Sequence, residues 1–277
     1  MHRLRVVGLI FQIALFVLIG LTRPVSAETT YSFGIVPQFE AMRLASVWMP
    51  ILEHLEATTP YKFRMVGSPD IPSFETEFQE GEFDFAYMNP YHAIMAQKAQ
   101  GYDPIIRDGG RELFGILAVS KTSDIQEIND LNGSTIAFPA PNALGASLLM
   151  RADLTNRFGL QFEPLYASTH SSAYLNLVLG RVAAAGGVMG TFRRQPDDIK
   201  DQLTIIYETT RVAPHPIVTH PRVPQDVRDA VQSALLRLGE TEEGRAILAP
   251  IPIREIRKAS AADYAPLLAM GLEDFLE

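Results

Sequence analysis

Apolar residues recur at helical spacing most clearly at Leu44, Val47, Trp48, Ile51, Leu52 and Leu55, which make one stripe along a helix. Pro50 falls within that stripe and is expected to kink the helix or mark its true start. Short apolar runs bounded by turn residues predict strands on either side. One is Tyr31 to Val36, ended by Pro37; the other is Tyr61 to Val66, followed by Gly67-Ser68-Pro69-Asp70. Pro72 suits the first turn of a second helix. Further strands are predicted at Phe83 to Met88, Tyr102 to Arg107 and Leu113 to Val119, with Asn89-Pro90 capping a helix between the first two. The order β-α-β-α-β-α-β-β predicts an α/β domain with a largely parallel sheet.

The alternation then starts again. Lys121 to Asn132 is polar and reads as a turn with a short helix. Ser134 to Phe138 is a predicted strand, Pro139 to Asn142 a loop, and Gly145 to Arg157 a helix carrying Leu148, Leu149, Ala152 and Leu154. After a strand at Phe162 to Tyr166, the stretch Ser168 to Gly187 opens with four side chains able to hydrogen-bond: Thr169, His170, Ser171 and Ser172. Ser168 or Thr169 suits the N-cap of the helix that follows, and Gly180 suits its stop. Strands at Ala183 to Val188 and Leu203 to Tyr207 complete this unit. Pro214-His215-Pro216 turns the chain into a strand at Ile217 to Thr219, and helices at Gln225 to Leu238, Glu242 to Leu248 and Asp263 to Phe275 finish it. The connections near Gly115–Ser120 and Thr209–Thr219 read as strands, not as flexible linkers. Two α/β lobes joined by two crossings form a hinged pair, and the cleft between them is a favoured place for a ligand. The expected division is 1–27 as a targeting segment, 28–116 as the first part of lobe one, 117–212 as lobe two, and 213–277 as the return to lobe one.

Composition narrows the function. The chain has 277 residues, a net charge of -8 and no cysteine. An acidic balance argues against a nucleic-acid partner, which needs a basic face. The lack of cysteine excludes disulfides, thiolate metal sites, a Cys nucleophile and a lipid-modified N-terminal cysteine. His2, Arg3 and Arg5, the apolar run Val6 to Gly20 broken only by Gln12, and Val25-Ser26-Ala27 after Pro24 together read as a cleaved secretory signal. The chain from Glu28 is then expected to be a soluble exported protein.

Candidate chemistry gathers where strands run into helices, because ligands of open α/β sheets sit beyond the carboxyl ends of the strands. Those junctions are Pro37-Gln38-Phe39, Gly67 to Ile71, Tyr87-Met88-Asn89-Pro90, Pro139 to Gly145 and Thr169-His170-Ser171. Helix N-termini there present free N–H groups and suit an anion. The candidate ligand-binding residues are Phe39, Ile71, Tyr87, Asn89, Asn142, Ala143, His170, Ser171 and His215. Each has an ordinary alternative: a plain N-cap for Asn89, core packing for Tyr87 and Phe39, a capped helix for the His170 turn, a loop histidine for His215. If His170 or His215 meets the anion as imidazolium, affinity should weaken as pH rises through its pKa. None of G-x-S-x-G, H-E-x-x-H or G-x-x-x-x-G-K-[ST] occurs, and the histidines fall in no metal-ligand spacing, so no catalytic residue, metal or cofactor is expected. Gly186-Gly187 reads as a tight strand end.

Several stretches together resemble one known family. They are FGIVPQFEAMRLASVWMPILEHLE, GEFDFAYMNPYHA, SKTSDIQEINDLNGSTIAFPAP, STHSSAYLNLVLGRVAAAGG and APHPIVTHPRVPQDVRDAVQSALL. The chain is similar, over nearly its whole exported length, to the phosphonate/phosphite/phosphate-type (PhnD-like) periplasmic solute-binding proteins of ABC importers. The resemblance implies a place in the periplasm, a type II two-lobed fold with a hinge and an inter-lobe cleft, a small oxyanion at helix N-termini, and no catalysis. It also implies specific departures from the aminophosphonate-binding members. Their Ser-Thr-Ser-Gly run falls at Ala143, Leu144, Gly145 and Ala146 here, so the hydroxyl donors are gone. Two of their tyrosines fall at Ile71 and Met88, and the aspartate that pairs the ligand amine falls at His215. Their histidine is kept as His170. Such a site should not favour an amino-cation, and a phosphonate, phosphite or phosphate-like anion is expected instead. The implied partners are that anion and an ABC permease, or alternatively the periplasmic domain of a sensor kinase, with the protein a monomer. An enzyme on the same scaffold, with His170 as base, is the more distant alternative.

Overall fold

Turn residues decide where the strands stop, and the computed structural model, which describes residues 29–251 and 253–277, follows them closely. The expected targeting segment lies outside the described residues. Strands β1 (Thr30–Ile35), β2 (Lys62–Gly67) and β3 (Phe85–Tyr87) pair in parallel around β1. Helices α1 (Ala41–Thr58), α2 (Ile71–Gln79) and α3 (Pro90–Gln100) connect them and lead on to β4 (Asp103–Asp108). Helix α1 starts nine residues before Pro50 and continues through it, so the proline does not mark the start. Its buried face is Leu44, Trp48, Ile51, Leu52 and Leu55, with Trp48 against Phe33 and Tyr87.

The chain leaves this sheet after β4 and forms β5 (Gly115–Ser120) in a second one, with β6 (Thr135–Phe138), β7 (Glu163–Tyr166), β8 (Ala184–Val188) and β9 (Leu203–Glu208). The return strand β10 (Ile217–Thr219) inserts between β3 and β4. Sheet order is β11-β4-β10-β3-β1-β2 in one lobe and β7-β6-β8-β5-β9 in the other, with β11 at Ile256–Lys258. Neither sheet is largely parallel. The strands that return from the other lobe, β10 and β5, run antiparallel to their neighbours, so each sheet is mixed. The two crossings run through 109–114 and 209–216 and touch at the Leu113–Val212 bridge. Gly115–Ser120 is thus a strand of the second sheet and not itself the crossing.

The helix expected at Gly145 to Arg157 forms as three consecutive segments, wide-turned at Leu144–Leu148 and Asp153–Arg157 with an α-turn at Leu149–Ala152 between; together they are α4. The His170 turn opens α5 (His170–Val178), with Thr169 as N-cap and Gly180 in the left-handed conformation just past its end. Two short helices, α6 (Met189–Phe192) and α7 (Asp197–Lys200), follow β8. Helices α8 (Gln225–Leu238) and α9 (Glu242–Leu248) match the sequence reading residue for residue. The tail expected as one helix forms 3-10 turns instead, at Ala261–Asp263, Ala265–Met270 and Leu272–Phe275.

Glycines in β5 and β8 let α4 lie directly on the second sheet. A Cβ at Gly115 would sit 1.9 Å from Gly145 O, and one at Gly186 would sit 2.2 Å from Ala146 O. Gly186-Gly187 is therefore strand interior under a crossing helix, not a strand end. This close approach brings the first turn of α4 to the edge of the inter-lobe gap.

Candidate functional site

Two adjoining spaces lie between the lobes. The inner one is a notch of about 20 Å³ lined by Val36, Gln38, Ile71, Asn89, Ala143, Leu144, Gly145, Ala146, His170, Val188 and His215. Five of the nine predicted residues meet there: Ile71, Asn89, Ala143, His170 and His215. The outer one is a cleft of about 860 Å³ walled by the crossing segments, by α6 and by Tyr87; it shares Gln38, Val188 and His215 with the notch.

At the notch the donors are backbone groups. The first amides of α4 to find helical acceptors are Ser147 N and Leu148 N, both donating to Ala143 O. The N–H groups of Leu144, Gly145 and Ala146 precede that ladder, as at any helix start, and these residues line the notch. Asn89 caps α3: its Oδ1 accepts from His92 N at 2.8 Å, and its Nδ2 donates to Asn142 O at 3.2 Å.

Both histidines are neutral at ordinary pH. His170 is 3% exposed, and burial holds its pKa down to about 4. Burial, with smaller contributions from His92 and His170, brings His215 to about 3. The expected imidazolium contact is therefore absent from this geometry: a charge on either ring would have to form in a space with little water. The tautomer of His170 follows from its neighbour. Thr191 Oγ1 donates to Val188 O at 2.9 Å, so at 3.1 Å from His170 Nδ1 it can only accept, and Nδ1 carries the proton. Neutral His170 then has Nε2 as an acceptor. His215 stacks on Tyr87 with ring centroids 5.3 Å apart and lies 3.0 Å from Gln38 Nε2.

The other predicted residues sit elsewhere. Asn142 is buried and its amide is fully used: Nδ2 donates to Glu75 Oε2 at 3.0 Å and to Glu277 O at 2.7 Å, and Oδ1 accepts from Glu277 N at 3.2 Å. It ties the lobes together beside the notch but does not line it. Phe39 lies under Arg43, 4.0 Å from ring centroid to guanidinium carbon, in a side space shared with Tyr87 and Arg194. Tyr87 walls the outer cleft and that side space, and burial raises its hydroxyl pKa. Ser171 lies in the first turn of α5, half-buried, outside the notch lining.

Sequence reasoning missed the charges. Arg107, Arg111, Arg193, Arg194, Arg211 and Arg254 all line the outer cleft, against Glu112 and Glu208. Three of these arginines are paired already: Arg107 with Asp263 at 2.8 Å, Arg111 with Asp108 at 3.0 Å, and Arg211 with Glu208 at 2.9 Å. Arg194 is half-buried, and its side chain has no ion pair or hydrogen bond among the described residues. Its pKa is lowered, chiefly by burial, with the Arg111 and Arg43 cations adding to the effect. The signal available was Arg193-Arg194 directly after a strand-to-helix junction in an acidic chain.

Two mixed α/β lobes, joined by two crossings and gripping a gap, make this a type II periplasmic binding-protein fold. The chain belongs to the family of periplasmic substrate-binding proteins of ABC phosphonate transporters, which it matches over residues 33–264. That family is a solute-capturing component of a transporter, not an enzyme, and it works in the periplasm. Among the described residues no helix is long and apolar enough to cross a membrane. The structure resembles a binding-protein component of an ABC phosphonate transporter from Pseudomonas aeruginosa, with TM-score 0.81 and 17% identity over 88% of this chain and 86% of that one. It also resembles PhnD1 from Prochlorococcus marinus, solved in complex with methylphosphonate, with TM-score 0.79 and 14% identity over 88% and 97%. No curated protein matches the chain in sequence.

Proposed function

We propose that this protein captures an anion of the phosphonate, phosphite or phosphate type between its lobes and presents it to an ABC importer's permease. One observation carries the reading. The start of α4 and both neutral histidines line the notch, and the unpaired Arg194 lines the adjoining cleft, which shares Gln38, Val188 and His215 with it. The methylphosphonate complex of the Prochlorococcus marinus relative supports the same ligand class.

Volume apportions the ligand. A space needs about 10–15 Å³ to hold a water, so a notch of about 20 Å³ takes one oxygen and no more. The rest of the anion lies in the cleft beside Tyr87 and Arg194, where a guanidinium can bind two oxygens side by side. The oxygen that enters the notch meets the amides of α4 and the acceptor Nε2 of His170. A P–OH group satisfies both, so the bound form is the singly protonated anion. An amine gains little here, since the notch offers it no carboxylate and Glu112 stands among six arginines in the cleft.

Calorimetric titration of residues 28–277 with methylphosphonate, phosphite and phosphate tests the proposal, with 2-aminoethylphosphonate as the contrasting cation-bearing ligand. At least one of the three should bind and raise thermal stability, by about 2.7 kcal/mol at a hundredfold excess over Kd. Absence of binding by all three, or preference for the amino compound, rejects it.

A further inference from the structure

We propose that the solute carries two phosphoryl-type anionic groups in one molecule, the first against Arg194 and the second against Arg193 and Arg254. This rests on the anion-capture reading and sharpens its substrate class. The argument is a charge count. The other three arginines of the cleft wall are already matched by carboxylates. Arg193, Arg194 and Arg254 have no carboxylate partner among the described residues, and neither does Arg43, which reaches the adjoining space that Arg194 shares. The same wall has one unpaired acid, Glu112. Four cations against one anion leave an excess of three, in a chain whose overall charge is -8.

One phosphoryl group carries at most about 2 negative charges at neutral pH, and fewer in the singly protonated form. It would leave at least one guanidinium of the cleft without an anionic partner. Room agrees with charge. The cleft, at about 860 Å³, falls within the roughly 300–1,000 Å³ range of sites that hold drug-sized molecules. A lone oxyanion, with one oxygen in the notch, would leave most of it to water. Arg193 and Arg254 come from opposite sides of the gap, one following β8 of the second sheet and the other preceding β11 of the first. A second anionic group would thus be held by both lobes.

Inorganic pyrophosphate and phosphate, titrated in parallel into residues 28–277, are the probes, with methylphosphonate alongside. Pyrophosphate should bind at least about tenfold tighter than phosphate, the gain of one further charge-assisted contact. In the double variant R193Q/R254Q that ratio should fall close to one, with each single variant losing part of the gain. R237Q removes the same charge from α8, outside the cleft, and should leave the ratio unchanged. Phosphate or methylphosphonate binding as tightly as pyrophosphate overturns the inference while leaving anion capture standing. A ratio unmoved by the double variant, or moved equally by R237Q, overturns it as well. Failure of all three probes to bind removes the parent reading and this one with it.

Discussion

Arg151 and Arg194 both belong to the lobe of the second sheet, yet the fold treats them oppositely. Arg151 is 6% exposed and makes four hydrogen bonds: to Ser147 Oγ, Pro141 O, Phe275 O and the Glu277 carboxylate at 2.7 Å. Tyr166 donates to the same carboxylate at 2.5 Å, and Asn142 holds the Glu277 backbone. Here a buried charge is fully matched, and it straps segment 275–277 across to the second lobe. Arg194 is half-buried near other cations and has no ion pair or hydrogen bond among the described residues. The unpaired cation is the one the proposed function gives to the ligand; the satisfied one holds the lobes together.

The largest expected effect tests whether the notch belongs to the satisfied side of that contrast. His170 and His215 keep pKa values near 4 and 3 in the folded state, well below the unfolded value. The unfolded chain therefore binds more protons below about pH 6.5, and stability must fall with acidification towards the folded values. At pH 5 the two together should cost about 4 kcal/mol relative to pH 7.5, read from urea midpoints. A His170→Gln variant should lose about half of that dependence. An unchanged slope would place the charge back on the histidines.

Next in size, Arg151→Met should destabilise by about 3 kcal/mol, because it leaves the Pro141 and Phe275 carbonyls without their donor and removes the cation beside Glu277, whereas Arg194→Met should shift stability by less than about 1 kcal/mol. Equal losses in the two urea curves would erase the distinction between them. In the opposite sense, Arg194→Gln should weaken methylphosphonate binding about thirtyfold, the worth of one charge-assisted contact of about 2 kcal/mol. Calorimetry showing less than a threefold change would remove Arg194 from the site. The smallest effect concerns Ser171, whose side chain lies outside the notch. Ser171→Ala should alter stability and affinity by no more than about 0.5 kcal/mol each, and a larger loss of affinity would extend the site along α5.

Much of the fold was legible because its punctuation is local. Pro37, Gly67, Asn89-Pro90 and Gly180 stop or start elements through backbone geometry that needs no partner, and the boundaries fall close to them. Strand β11, Ile256-Arg257-Lys258, was missed because an edge strand carries charges that read as loop. The tail misled because its apolar residues suit a three-residue period as well as a helical one. Parallel and antiparallel pairing could not be separated either, since β5 and β10 take their direction from where the chain comes back, not from their own residues.

The sequence by itself determined the two α/β units, the helix starts beyond strand ends and the family, and with these the general place of the notch. Propensities and caps act over a few residues, so they survive in a one-dimensional reading. Only the tertiary structure decided which charges are spent and which are free. Asn142 became part of the inter-lobe strap, both histidines lost their charge to burial, and Arg193-Arg194, which the sequence reading passed over, became part of the wall of a cleft. Burial and pairing depend on residues a hundred or more positions away, such as Glu277 for Asn142, and no local pattern encodes which distant group will arrive.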